Sequence, residues 1–240
     1  MATLIAPRAS LNAERRFFTG MAAAMVAATF IGFVPTYYFR SLTDAPPLGP
    51  LVHLHGVVYT AWMLLFLGQP SLIAARRPDL HRVMGFALAG LAVVIVILGV
   101  VTAIESARAG HGPMTRNQPF FLIFPLTLMV LFSGFTALGI AQRKQAAYHK
   151  RWMLLATMAL VTTPLARIGP RIGMPFERPI CGMILMDLFL AALVVFDIKR
   201  LGRLHPVTLW GGGILLASEP LRVLIGTTET WQSFARTLIG

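Results

Sequence analysis

The chain has 240 residues, 56% hydrophobic and 12% charged, with a mean hydropathy of +0.71, against roughly 45–50% apolar and 25% charged in an ordinary soluble domain. A soluble enzyme and a disordered linker are both excluded. The formal charge of +12 comes from 21 Lys and Arg against 9 Asp and Glu, and the basic residues fall in short links between apolar runs. The expected partner is therefore a bilayer with anionic headgroups and not nucleic acid. Cys181 is the single cysteine and lies inside an apolar run, which rules out an intrachain disulfide, a CxxC redox pair and a thiolate metal cage.

Hydropathy places seven transmembrane helices at about residues 17–39, 53–74, 81–104, 120–141, 149–169, 180–198 and 204–226, leaving a single all-α, polytopic domain over 1–240. Arg15-Arg16-Phe17-Phe18 has the look of an export signal, but the stretch from Phe17 to Phe39 is of full span length and reads as a first anchor. The longest links carry Pro46, Pro47, Pro50, Gly110, Gly112 and Pro113 and read as turns. Thirteen Lys and Arg lie on the side of the N-terminus and eight on the other, so the N-terminus is expected in the cytoplasm and the C-terminus outside, in a bacterial inner membrane. That orientation puts His81, His149 and His205 at the cytoplasmic face and His53, His55 and His111 at the outer one. Lys144, Lys150 and Lys199 all sit in links, which excludes a mid-membrane retinal Schiff base.

A threefold pattern carries the chemistry. Arg76-Arg77 precedes His81, Arg143-Lys144 precedes His149 and Lys199-Arg200 precedes His205, each histidine opening an odd-numbered helix. A helix N-terminus disfavours imidazolium and leaves a neutral ring able to ligate a metal. Gly85, four residues beyond His81, gives clearance on that helix face, and Trp152 and Met153 lie one turn beyond His149. Such surroundings suit a b-type haem with one axial imidazole from each of His81 and His149, and Arg77, Arg82 and Arg151 are positioned to neutralise its propionates. A three-imidazole metal centre of His81, His149 and His205 is the alternative, and headgroup-bonding interfacial histidines are the plainer one.

On the outer side His53 and His55 diverge by about 200° on a helix, so one at most points inward; His55 is the deeper. Intramembrane charges cost several kcal/mol unless paired, which singles out Asp187 in span six, Glu219 and Arg222 three residues apart in span seven, and Arg167 and Arg40 at helix ends. With Tyr37, Tyr38 and His55 they form a candidate basic cavity for a quinone headgroup or another anionic group, or else Glu219 pairs internally with Arg222 or Arg167. Without any cofactor, the same charges offer a polar pathway for a small anion, lipid or proton. Gln69 before Pro70 and the small run Ala22-Ala23-Ala24 read as packing features.

His55-Gly56, Gln69, Arg76-Arg77, His81-Arg82-x-x-Gly85, His149-x-x-Trp152-Met153 and Arg167 together resemble a group of bacterial multi-span membrane proteins of unknown function. These are similar in helix layout and histidine placement to small membrane b-type cytochromes, the superfamily that includes ferric reductases and ascorbate-dependent cytochromes. Over about residues 53–170 the resemblance implies a core of helices two to five flanked by one, six and seven. It also implies a single haem b between His81 and His149, and a role in electron transfer with redox partner proteins or inside a larger membrane complex. Two-haem members carry a histidine pair on each side of the membrane, and here His53 or His55 has no evident partner on a second helix.

Overall fold

The architecture was obtained as a computed structural model of the chain, which describes residues 8–110 and 117–240. His111, Gly112 and Pro113 lie outside the described residues. Proline sits in the first turn of most helices, where its missing N–H costs nothing and its fixed φ favours the helical start. The helices are α1 (Arg8–Phe33), α2 (Pro50–Ala74), α3 (Pro78–Arg108), α4 (Gln118–Ala141), α5 (Ala146–Ile168), α6 (Arg178–Leu201), α7 (Pro206–Gly226) and α8 (Glu229–Ile239). No strand occurs among the described residues. Gly202, at φ 68°, closes α6 in the left-handed region that glycine enters without strain.

Among the described residues six segments are long and apolar enough to cross a membrane: Asn12–Tyr38, Pro50–Ala74, Pro78–Arg108, Gln118–Ala141, Ala146–Ile172 and Arg178–Leu201. The chain is a helical membrane protein. Helix α7 has 21 residues, enough for about 32 Å at 1.5 Å per residue, but three consecutive glycines, Glu219, Pro220 and Arg222 lower its hydropathy. The first apolar run continues beyond α1 as a π-helical turn, Val34–Tyr38, in which the Phe39 N–H donates to the Val34 carbonyl at 2.8 Å around Pro35. Helix α8 has no counterpart among the hydropathy spans. It is short and strongly amphipathic, and its Ala235 buries against Ala103, Ala107 and Leu122.

Each of α1 to α4 packs on its successor, α4 packs on α5, and α1 packs on α5 as well. The first five helices thus close a ring. Helix α1 joins α2 to α5, so it belongs to the core and does not flank a four-helix unit of α2 to α5. Trp62, Met25, Ile95, Phe132 and Met158, one from each of the five helices, are fully buried in one cluster. Helices α6 and α7 pack outside the ring on α5, and α7 also covers α4. Buried residues make up 72% of the most apolar stretch of α5 and 17% of that of α2, so α5 is the central helix and α2 turns most of its surface to lipid.

Close approach of α7 to α5 depends on Gly211. A methyl group there would meet Leu155 Cδ1 at 2.5 Å and Trp152 Cζ3 at 2.7 Å, and the indole cannot retreat because its N–H is held by Gln142. Gly211→Ala is expected to lower stability by about 1–3 kcal/mol through overpacking. Gly213→Ala, where nothing lies within 4 Å, should leave thermal unfolding in detergent unchanged. Equal melting temperatures for the two variants would contradict this packing.

Candidate functional site

Helices α1, α3, α5 and α7 begin, and α2, α4 and α6 end, at what is here called the N-terminal face. His81 in the first turns of α3 and His149 in the first turn of α5 meet there, their ring centroids 6.2 Å apart and their planes at 88°. Helix α4 lies between those two helices and sets the orientation of one ring. In the last turn of α4 the Arg143 N–H donates to Ile140 and not to Gly139, leaving the Gly139 carbonyl among the orphan acceptors of a helix end. His149 Nδ1 fills it at 2.8 Å. A carbonyl accepts only from a protonated nitrogen, so Nδ1 carries a proton and Nε2 is the nitrogen left to face a ligand, the orientation typical of metal-ligating histidine.

His81, whose ring lies within reach of the Gln69 backbone, contributes a buried Nδ1 with no close hydrogen-bond partner among the described residues, and Gln69 Nε2 from the end of α2 is likewise unpartnered there. Added bulk at Gly85 meets no atom within 4 Å. At Gly139 it meets the Met153 sulfur at 2.8 Å, which places Met153 beside the carbonyl that holds His149. An imidazole nitrogen binds iron or zinc at about 2 Å and sits about 1 Å from its ring centre, so two rings sharing one metal stand about 6 Å apart. The observed separation fits.

Other expected members of this site are placed elsewhere. Trp152 is buried against α4 and α7, its ring 5.4 Å from that of Phe135 and its N–H donated to Gln142 Oε1 at 2.9 Å; it packs the core and does not face the histidine pair. Arg151, 1% exposed, is committed to Asp197, which is fully buried. Arg77 is bound by Asp79 at 2.8 Å on the surface. Of the three expected propionate partners, Arg82 alone makes no ion pair among the described residues; it is exposed and adds its charge next to His81.

His205 does not join the pair. Its ring stands 4.6 Å from that of Tyr148, and its Nδ1 accepts from the Val207 N–H at 3.2 Å as the cap of α7. A nitrogen that accepts from an N–H carries no proton itself, so the Nδ1 lone pair serves the cap. No group of three His, Cys, Asp or Glu side chains is close enough to hold a metal ion among the described residues. The three-imidazole centre is not assembled.

Asp197 is the residue that local reading of the sequence missed at this face. It takes Arg151 from α5, the Thr208 hydroxyl from α7 at 2.5 Å and the His205 N–H at 3.3 Å. One carboxylate thereby ties α5, α6 and α7. Beside it Lys150 pairs with Glu14 of α1 and lies over the Phe18 ring at 4.9 Å.

At the opposite face the expected basic cavity is divided in two. In the first part, His55 stacks on Tyr59 at 4.0 Å, keeps a buried Nδ1 without a close partner among the described residues, and lies within the electrostatic reach of Arg167. Tyr38 shares a hydrogen with Thr60 at 2.7 Å, and the Tyr37 hydroxyl donates to the His53 carbonyl at 3.2 Å. Arg40, half-buried, bends away to the Pro46 carbonyl at 2.8 Å, so it belongs to the link and not to a cavity.

In the second part, α4, α5, α6 and α7 border a partly open cavity of about 150 Å³ lined by Arg167, Arg178 and Arg222 together with Phe121, Phe124 and Leu128 of α4, and Arg222 lies 5.9 Å from the Phe124 ring centre. Arg178 was not anticipated; it sits exposed at the first residue of α6. Arg167 lies over the Phe33 ring at 4.5 Å and donates to the Thr163 carbonyl at 3.0 Å. Asp187 and Glu219 stand behind Arg222, each with a buried oxygen lacking a partner. Neither forms an ion pair with an arginine among the described residues, so the internal pairing of Glu219 is not made.

No protein-family model, curated protein or solved structure matches the chain. The function has to be argued from the site itself.

Proposed function

We propose that this is a membrane redox protein, or the membrane subunit of a redox chain, that holds a b-type haem between His81 and His149. The reading is carried by the two neighbouring imidazoles, their ring centroids 6.2 Å apart, one of them with its Nδ1 fixed on Gly139. Two ligands are too few for a bare zinc ion, which takes three or four protein ligands, but they suffice for haem, whose macrocycle supplies the other four. When bound, the haem supplies a one-electron couple. Gly139 fixes the His149 ring, Gly85 leaves room beside His81, and Arg82 is the cation nearest to hand for a propionate. Kinship with the small b-type cytochromes remains part of the same proposal, with α1 added to their expected core.

In this proposal α7 is the seventh span. The N-terminal face, with 13 of the 21 Lys and Arg, is cytoplasmic by the positive-inside rule, and the membrane is the bacterial inner one. A quinone is the electron partner whose headgroup suits the outer face, where His55, beside Tyr59 and within reach of the Leu98 backbone, has a buried Nδ1 with no close partner among the described residues.

The test is steric. Gly85→Ala and Gly85→Leu enter open space, so both should fold. Leucine is expected to lower haem bound per protein at least about tenfold by occupying the clearance, whereas alanine retains most of it. Haem quantified as the pyridine complex on purified protein reads both, and full haem in Gly85→Leu would contradict the assignment.

A further inference from the structure

The arginine cavity is built for a ligand and is independent of the haem site. Arg222 is 2% exposed, lies 5.9 Å from the Phe124 ring centre, and makes its hydrogen bonds among the described residues through Nε and Nη2 alone, to the carbonyl and hydroxyl of Ser218 at 3.0 and 3.2 Å. The carboxylates that feel its charge, Asp187 and Glu219, do not line the cavity. Three arginines from three helices therefore line one small space in which, among the described residues, no carboxylate takes part. Arg178 stands close enough to Arg167 for the two charges to repel each other, and such repulsion is costly where water is scarce.

The geometry points to the anion that relieves this. One planar arginine fork satisfies a carboxylate, whereas three forks arriving from separate helices match a tetrahedral phosphate with oxygens facing several ways. The apolar lining, Phe121, Phe124 and Leu128, offers nothing to a free ion and suits hydrocarbon. We propose that the cavity binds the phosphate headgroup of an anionic amphiphile, gripped by Arg167, Arg178 and Arg222, with its hydrocarbon laid along α4.

Native mass spectrometry of the delipidated full chain in detergent tests this, with phosphatidic acid, phosphatidylcholine of the same chains and inorganic phosphate as probes. Phosphatidic acid is expected to bind one to one, phosphatidylcholine at least about tenfold more weakly, and inorganic phosphate to compete only at high concentration. Arg222→Gln and Arg178→Gln should each weaken phosphatidic acid binding at least about tenfold. Arg178 is exposed at a helix start, so its variant keeps the test readable if the Arg222 variant misfolds. Arg236→Gln, on the same face outside the cavity, should change nothing. Equal binding of the two lipids, indifference to both cavity variants, or an equal loss in Arg236→Gln would overturn the proposal. Tight binding of inorganic phosphate alone would overturn the amphiphile and leave a site for free oxyanion.

Discussion

Asp197→Ala is expected to destabilise the protein by about 3–5 kcal/mol, the range for breaking a buried ion pair by removing one partner. Arg151, 1% exposed, would be left as an uncompensated buried charge. The Thr208 hydroxyl and the His205 N–H would lose their acceptor at the same time. The pair itself adds little net stability, because two charges taken out of water lose hydration that their attraction barely restores. Arg151→Met combined with Asp197→Leu should therefore recover most of the loss. Unfolding in detergent reads all three proteins. A double variant as unstable as Asp197→Ala alone would show that the charges are needed for more than their mutual compensation.

His149→Ala is expected to remove bound haem almost entirely, since it deletes a ligand and frees the Gly139 carbonyl together. His205→Ala is the matched control. It opens an odd-numbered helix at the same face, after the same kind of basic pair, but it caps Val207. Its loss should cost about 0.5–2 kcal/mol of stability and no haem. Equal haem loss in the two variants would mean that the effect travels through the fold and not through a ligand.

The two histidines also mark how far the sequence could be read. The repeated basic pair and histidine located all three rings at one face, because each lies at the start of a helix after an even-numbered one. It could not say which way they point. His81 and His149 turn inward on either side of α4, whereas His205, followed by Pro206, has extended backbone at φ −69° and ψ 141° and turns its ring onto its own helix.

Arg151 shows the opposite failure. Two residues beyond His149 it looked available for a propionate, but its partner Asp197 lies 46 positions away. Asp197 drew no notice near the end of an apolar run, although an acid flanked by Val194, Val195, Phe196 and Ile198 is itself a signal of buried pairing. Trp152 was assigned to the histidine face from its three-residue spacing, and Gly211 of α7 draws its ring the other way. Helix α8 was invisible to hydropathy because its apolar face is only a stripe, with Trp231 anchored to the Pro119 carbonyl at 2.8 Å and Arg108 of α3 reaching the Leu238 carbonyl.

Arg167 and Arg222 line one cavity, since intramembrane arginines at the same end of two spans have few other places to go. Arg178 escaped because it stands in the link by hydropathy and enters the cavity only once α6 is seen to begin there.

The most direct measurement is the absorption spectrum of the detergent-purified protein, oxidised and then reduced, with haem and metal quantified on the same sample. The account predicts one haem per chain, with a Soret band that shifts on reduction and is lost in the His81→Ala and His149→Ala proteins. A folded, colourless protein that stays so after incubation with haem would contradict it.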